Sequence, residues 1–191
     1  MRLSPIAVLA LAFATLTSAP AMAQAPNGAA LQAEQREKLT PLSWLDGTWR
    51  GTAVYPSQNG PITITQTERV GPMLAGTIRV IEGRGYNSEG NAAFNAFAVL
   101  AWNTATKAFE MHAFNDGRSG VYPLVLTPDG FGWEIPAGPG KVRFEATFKD
   151  GEWREVGTFE MPGRPPRQTV EMRLRRIGPS DWPAAGAVPR Q

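Results

Sequence analysis

The stretch VYPLVLTPDGFGWEIPAGPGKVRFEATFKDGEWREVGTFEM, residues 121–161, decides the fold. Apolar and polar residues alternate along it with period two, the signature of half-buried strands. Pro128-Asp129-Gly130 and Asp150-Gly151 interrupt the alternation, and Asp-Gly steps readily adopt the left-handed backbone of tight hairpin turns. The spacing predicts strands over Val121–Thr127, Phe131–Pro136, Lys141–Lys149 and Glu152–Met161. A parallel crossover needs a dozen or more residues, and these connections are far shorter, so neighbouring strands must run antiparallel.

The same pattern extends in both directions. Upstream, strands are predicted over Gly47–Pro56, Ile62–Val70, Met73–Gly83, Phe94–Trp102 and Ala108–Asn115; downstream, over Gln168–Ile177. Pro56–Pro61, Gly71-Pro72 and Asn103–Lys107 supply turns, and Gly83–Gly90, with Gly83-Arg84-Gly85, reads as a longer Gly-rich loop at a barrel mouth. A meander of about ten strands has two exposed edges unless it closes, and closure removes both. The expectation is an all-β chain, an antiparallel up-and-down barrel of about ten strands.

Composition narrows the function classes. Among 191 residues, 19 Lys and Arg face 17 Asp and Glu, a net charge of +2. Nucleic-acid binding by phosphate neutralisation needs a concentrated basic surplus, which is absent. With no Cys there are no disulfides, thiolate metal sites or cysteine nucleophiles, and with one His, His112, no site built on two imidazoles. The first residues order a positive n-region (Arg2), an apolar run (Ile6–Thr15) and the small-residue site Ala21-Met22-Ala23, the pattern of a secretory signal peptide. The predicted organisation is a signal peptide at 1–23, a polar N-terminal tail or short helix at 24–40, the barrel at 41–177 and a disordered C-terminal tail at 178–191. The expected location is periplasmic or secreted, with no stable membrane insertion after cleavage.

A barrel of ten strands leaves room for a ligand where eight can be filled by side chains. Alternation nominates Trp49, Tyr55, Ile64, Leu74, Ile78, Phe144 and Phe148 as inward residues of an apolar pocket. It also puts Glu68 on the Ile62/Ile64 face and Glu82 on the Ile78/Val80 face. A carboxylate sharing an apolar face is costly when unpaired, so Glu68 reads as a polar anchor for a ligand, as a strand end leaning into solvent, or as half of an internal ion pair with Arg. His112 lies between Met111 and Ala113 on a strand apolar on both faces. It is a haem ligand, a base, or an ordinary side chain bonded to its neighbours. Arg164 and Arg167 read as a solvated hairpin tip.

Leu45-Asp46-Gly47-Thr48-Trp49-Arg50-Gly51 resembles the Gly-x-Trp opening of the first strand in the calycin superfamily, which contains lipocalins, fatty-acid-binding proteins and haem-binding nitrobindins. Leu42–Ile177 is also similar to a bacterial lipocalin-like family of unknown function, through Glu68-Arg69 and Phe114-Asn115-Asp116-Gly117. The resemblance implies that Trp49 closes one barrel end against an Arg of the last strand, where Arg173, Arg175 and Arg176 are on offer. The chain departs from each familiar mechanism: no His follows His112, only Pro56–Pro61 lies where a helical lid would stand, and Arg173-Leu174-Arg175 lacks the Tyr of a carboxylate clamp. The expected function is a carrier or sensor binding a small hydrophobic or amphipathic molecule, with no cofactor and no catalytic residues. The alternatives are a filled barrel acting through its loops, or a haem-dependent or acid–base activity using His112 or Glu68.

Overall fold

The computed structural model describes residues 27–182, so the expected signal peptide and residues 183–191 of the expected tail lie outside the described residues. Ten strands form one closed antiparallel barrel in which each pairs with its chain neighbour and the last returns to the first. They are β1 (Gly47–Tyr55), β2 (Ile62–Met73), β3 (Ile78–Tyr86), β4 (Ala92–Asn103), β5 (Ala108–Asn115), β6 (Arg118–Thr127), β7 (Gly130–Ala137), β8 (Gly140–Lys149), β9 (Glu152–Glu160) and β10 (Arg167–Gly178). The all-β, ten-strand architecture is therefore as the alternation predicts.

One end of the barrel is plugged. The predicted tail or short helix is a helix, α1 (Gly28–Leu39), capped by the Asn27 side chain and followed by a 3-10 turn over Thr40–Leu45. Its sequence has little apolar face, and its last residue and the turn do the burying: Leu39, Leu42 and Leu45 are in the core. Trp44 stacks on Phe148 at 5.1 Å between ring centroids and meets Trp153 edge-on at 5.7 Å. Arg79, inward at the foot of β3, donates Nε and Nη2 to the Asp46 carboxylate and Nη1 to the Leu39 carbonyl, tying wall to plug. Outside, Glu34 of α1 accepts from the Trp102 indole at 2.8 Å and from Lys107.

The wall is unevenly sewn. β1 and β2 share nine register pairs, whereas β6 and β7 share four, Leu124–Thr127 against Gly130–Trp133. Continuing that register towards the open end would bring in Pro123 and then Pro136. Proline cannot donate to a ladder and is confined to strand edges, so the two prolines coincide with the point where β6 and β7 part. The result is a cleft in the hydrogen-bonded ladder between β6 and β7 on the mouth side of Leu124 and Trp133.

Three expectations are corrected. β2 runs on to Met73, and the turn falls at Leu74-Ala75-Gly76, all three with positive φ. Leu74 is therefore a turn residue, 70% exposed, not an inward one. That displacement reverses the faces of β3: Arg79, Ile81, Gly83 and Gly85 point inward and Ile78, Val80 and Glu82 outward. Gly83 and Gly85 lie within β3, not in a loop. Finally, residues 178–182 do not begin a disordered tail. Trp182 stacks under Arg69 at 4.0 Å, Asp181 pairs with the same guanidinium, and Ser180 lies against Gly71, where a side chain would leave no room.

Candidate functional site

Beside the plug the barrel is full. Above it, towards the open end, is a cavity of about 400 Å³. Its walls come from inward positions of most strands: Tyr55 from β1, Ile81 from β3, Phe94 from β4, Met111 from β5, Phe131 and Trp133 from β7, Phe144 from β8 and Met172 from β10. Trp133 and Phe144 stack at 4.3 Å. Apolar walls with a few convergent polar groups are the usual make-up of a small-molecule site.

The polar groups include Glu68 and Gln66 on β2 and Glu155 on β9, with the Tyr55 and Thr169 hydroxyls and the Asn115 amide also in the lining. Glu68 is 8% exposed and Gln66 2%. Gln66 donates Nε2 to Glu68 Oε1 at 2.8 Å, while its own Oε1 is buried without a partner. Space for the carboxyl comes from the facing strand: a Cβ on Gly83 would stand 2.7 Å from Glu68 Oε1, and one on Gly85 would collide with Ile64 and Gln66. The two glycines that read as loop residues thus make the hollow that Glu68 and Gln66 occupy.

Burial pushes the Glu68 carboxyl up to about 8, with smaller contributions from Glu155 and Glu82; the Gln66 hydrogen bond opposes the rise. Burial likewise raises Glu155 to about 7, although part of its surface is left open towards the cavity it lines. The indole N–H groups of Trp133 and Trp153 pull Glu155 the other way, yet neither closes a well-formed hydrogen bond. Tyr55 is raised by burial first and by the two carboxylates second. At neutral pH Glu68 therefore largely keeps its proton and Glu155 is about half protonated, since an apolar environment favours the neutral acid over the ion. Among the described residues no Lys, Arg or His lines it.

Of the residues nominated from the sequence, Tyr55, Glu68 and Phe144 line the cavity. Ile64 is buried in the same wall. Trp49 and Phe148 belong to the plugged end, in edge-to-face contact at 6.0 Å. Leu74 and Ile78 are outside it for the reasons given above. His112 is on the outer face, because its neighbours Met111 and Ala113 take the inward positions; its Nε2 lies 3.3 Å from Glu110 Oε2. A haem held inside the barrel by His112 does not fit this geometry. Among the described residues no group of three or more His, Cys, Asp or Glu could hold a metal ion, and no helix is long and apolar enough to cross a membrane.

Of the three arginines on offer in the last strand, Arg176 makes the barrel-closing contact, not Arg173 or Arg175. Met172 and Leu174 point inward, so alternation turns Arg173 and Arg175 outward, where they pair with Glu152 and Glu171. Arg176 shares the inward parity and lies over the Trp49 ring at 4.7 Å, also donating to the Trp44 carbonyl. The Trp49 indole donates to the Leu45 carbonyl at 2.7 Å. Gln66, Glu155, Trp133 and Trp153 are site residues that the sequence reading does not nominate. For Glu155 the signal is present, since it shares a face with Trp153, but Val156 gives the opposite face an equal apolar claim.

No family model matches the chain, and no curated protein matches it. Solved structures do match in fold. One is the crystal structure of Rv2717c from M. tuberculosis, at a TM-score of 0.54 and 13% identity, covering 72% of this chain and 96% of that one. The likeness extends to the fold alone. With the closed ten-strand barrel it is compatible with a calycin-like fold.

Proposed function

We propose that this protein is a periplasmic or secreted carrier or sensor that holds a small apolar or amphipathic molecule inside its barrel. The observation that carries the reading is the cavity of about 400 Å³ in the open half, apolar in its walls and furnished with Glu68, Gln66 and Glu155. A barrel whose interior served stability alone would extend the aromatic packing of its plugged end upward. Here three buried polar atoms, Gln66 Oε1 and the indole nitrogens of Trp133 and Trp153, lack partners in the protein. Unsatisfied buried groups cost on the order of 1–3 kcal/mol each, and a bound molecule would supply what they lack. The cleft between β6 and β7 gives such a molecule a way in from the side of the mouth.

The location rests on the ordered signal-peptide features of residues 1–23. The test of the whole reading is native mass spectrometry of protein expressed with its leader and purified without detergent. A discrete mass excess lost on denaturation, together with loss of the leader, is the expected result. A bare mass combined with failure to bind the neutral apolar dye Nile red would refute the reading.

A further inference from the structure

The polar furniture of the cavity specifies the head group it accepts. Two carboxyl groups from one side of the wall, Glu68 on β2 and Glu155 on β9 with β1 and β10 between them, face one enclosed space. No lysine, arginine or histidine among the described residues lines that space. Two arginines of inward parity are committed at the plug, Arg79 to Asp46 and the Leu39 carbonyl and Arg176 to the Trp49 ring and the Trp44 carbonyl. Gln66 Oε1 is a free acceptor built into the wall, on a side chain 2% exposed and without a partner.

An anionic head brought here would meet no counter-charge beside two carboxyl groups, with the unpartnered indole N–H groups of Trp133 and Trp153 as uncharged donors to it, and an unpaired buried charge is costly. A head carrying N–H or O–H groups can donate to Gln66 Oε1 and to either carboxyl. A cationic head also gains a charge-assisted hydrogen bond with a carboxylate, roughly twice as strong as a neutral one. We infer that the cavity selects amphiphiles with an uncharged or cationic, hydrogen-bond-donating head group, and rejects fatty carboxylates of the same chain length. The inference rests on the carrier reading above and names its ligand class.

The experiment is competition against Nile red fluorescence near neutral pH with a matched series: decylamine, decan-1-ol and decanoate, each below its micelle concentration. Decylamine and decan-1-ol should displace the dye at least about tenfold more tightly than decanoate, a difference of about 1.4 kcal/mol. In the double variant Glu68→Gln, Glu155→Gln, with its β-sheet spectrum checked first, the advantage of decylamine over decanoate should shrink severalfold while the dye still binds. If the double variant does not fold, Glu155→Gln alone should show the same shrinkage in smaller measure. Decanoate competing as well as decylamine in the wild type would overturn the selectivity and leave the carrier reading standing. A dye that does not bind at all would overturn both.

Discussion

Replacing Glu68 with Gln keeps the side chain's shape and removes its titration, so it isolates the energetic consequence of burying that carboxyl. The unfolded chain releases the Glu68 proton near 4.5, whereas the native protein retains it to about 8. Between those values the native state binds the extra proton, and stability therefore falls as pH rises. Each pH unit inside the window removes about 1.4 kcal/mol, or about 3 kcal/mol from pH 5 to pH 7. Glu155, raised to about 7, contributes a slope of the same sign in both proteins and cancels in the comparison. The interval also stays above the range in which Glu34 and Glu171 take up protons, since hydrogen bonds from Lys107 and Arg154 hold those two low. Urea denaturation followed by tryptophan fluorescence at several pH values gives the two stability curves. E68Q should gain about 3 kcal/mol on the wild type between pH 5 and pH 7. Parallel curves would refute the reasoning, because they would mean that Glu68 ionises at its ordinary value in a water-filled interior.

Arg79→Met should destabilise by about 3 kcal/mol in the same urea assay, because it leaves Asp46 and the Leu39 carbonyl without their partner. Trp49→Phe removes the indole bond to the Leu45 carbonyl and should cost about 1–2 kcal/mol. Gly83→Ala places a methyl against Glu68 Oε1 and should destabilise by about 1–3 kcal/mol while weakening Nile red binding. His112→Ala, on the outer face, should leave stability within about 0.5 kcal/mol and dye binding unchanged. In native-state hydrogen exchange, amides of Arg118–Tyr122 and of Glu134, Ile135 and Ala137 should exchange at least about tenfold faster than those of β9.

The fold was legible because it depends on period-two patterning and turn chemistry, both local. The Asp-Gly turn at Asp150-Gly151 needs only two residues to be recognised, and the strands on either side follow from it. Face assignment was legible where one turn separated unambiguous strands, as for Glu68 and Phe144. It failed for β3 because the turn sits at Leu74-Ala75-Gly76, where two non-glycine residues adopt positive φ, a backbone state sequence seldom announces. A shift of one residue exchanges every side chain between the two faces, which carried Ile78 outward and brought Gly83 and Gly85 in. The Trp49 partner was within reach of the same alternation: Met172 and Leu174 already mark the parity that Arg176 shares. The cavity itself was not legible. Its volume depends on where ten strands converge and part, and the loss of pairing beyond Leu124 and Trp133 coincides with Pro123 on β6 and Pro136 on β7, which folding brings into the same stretch of the wall.

The two halves of one barrel embody different compromises, and the contrast bears on function. At the plugged end, Trp44, Trp49, Phe148 and Trp153 interlock with Leu42 and Leu45, and Arg79 is fully partnered. At the open end the same chain leaves a void, buries two carboxyl groups, strands three polar atoms and interrupts its own ladder. Each of these features destabilises when taken alone: cavities lose contact energy with their volume, and buried ionisable groups must stay protonated or be paired. Gly83 and Gly85 are spaced to admit Glu68 and Gln66, so the carboxyl is accommodated by the wall and not merely tolerated by it. Departures from good packing that gather in one concave place are expected where function competes with stability. The filled-barrel alternative predicts the opposite arrangement, in which the interlocked aromatics of the plug continue to the mouth.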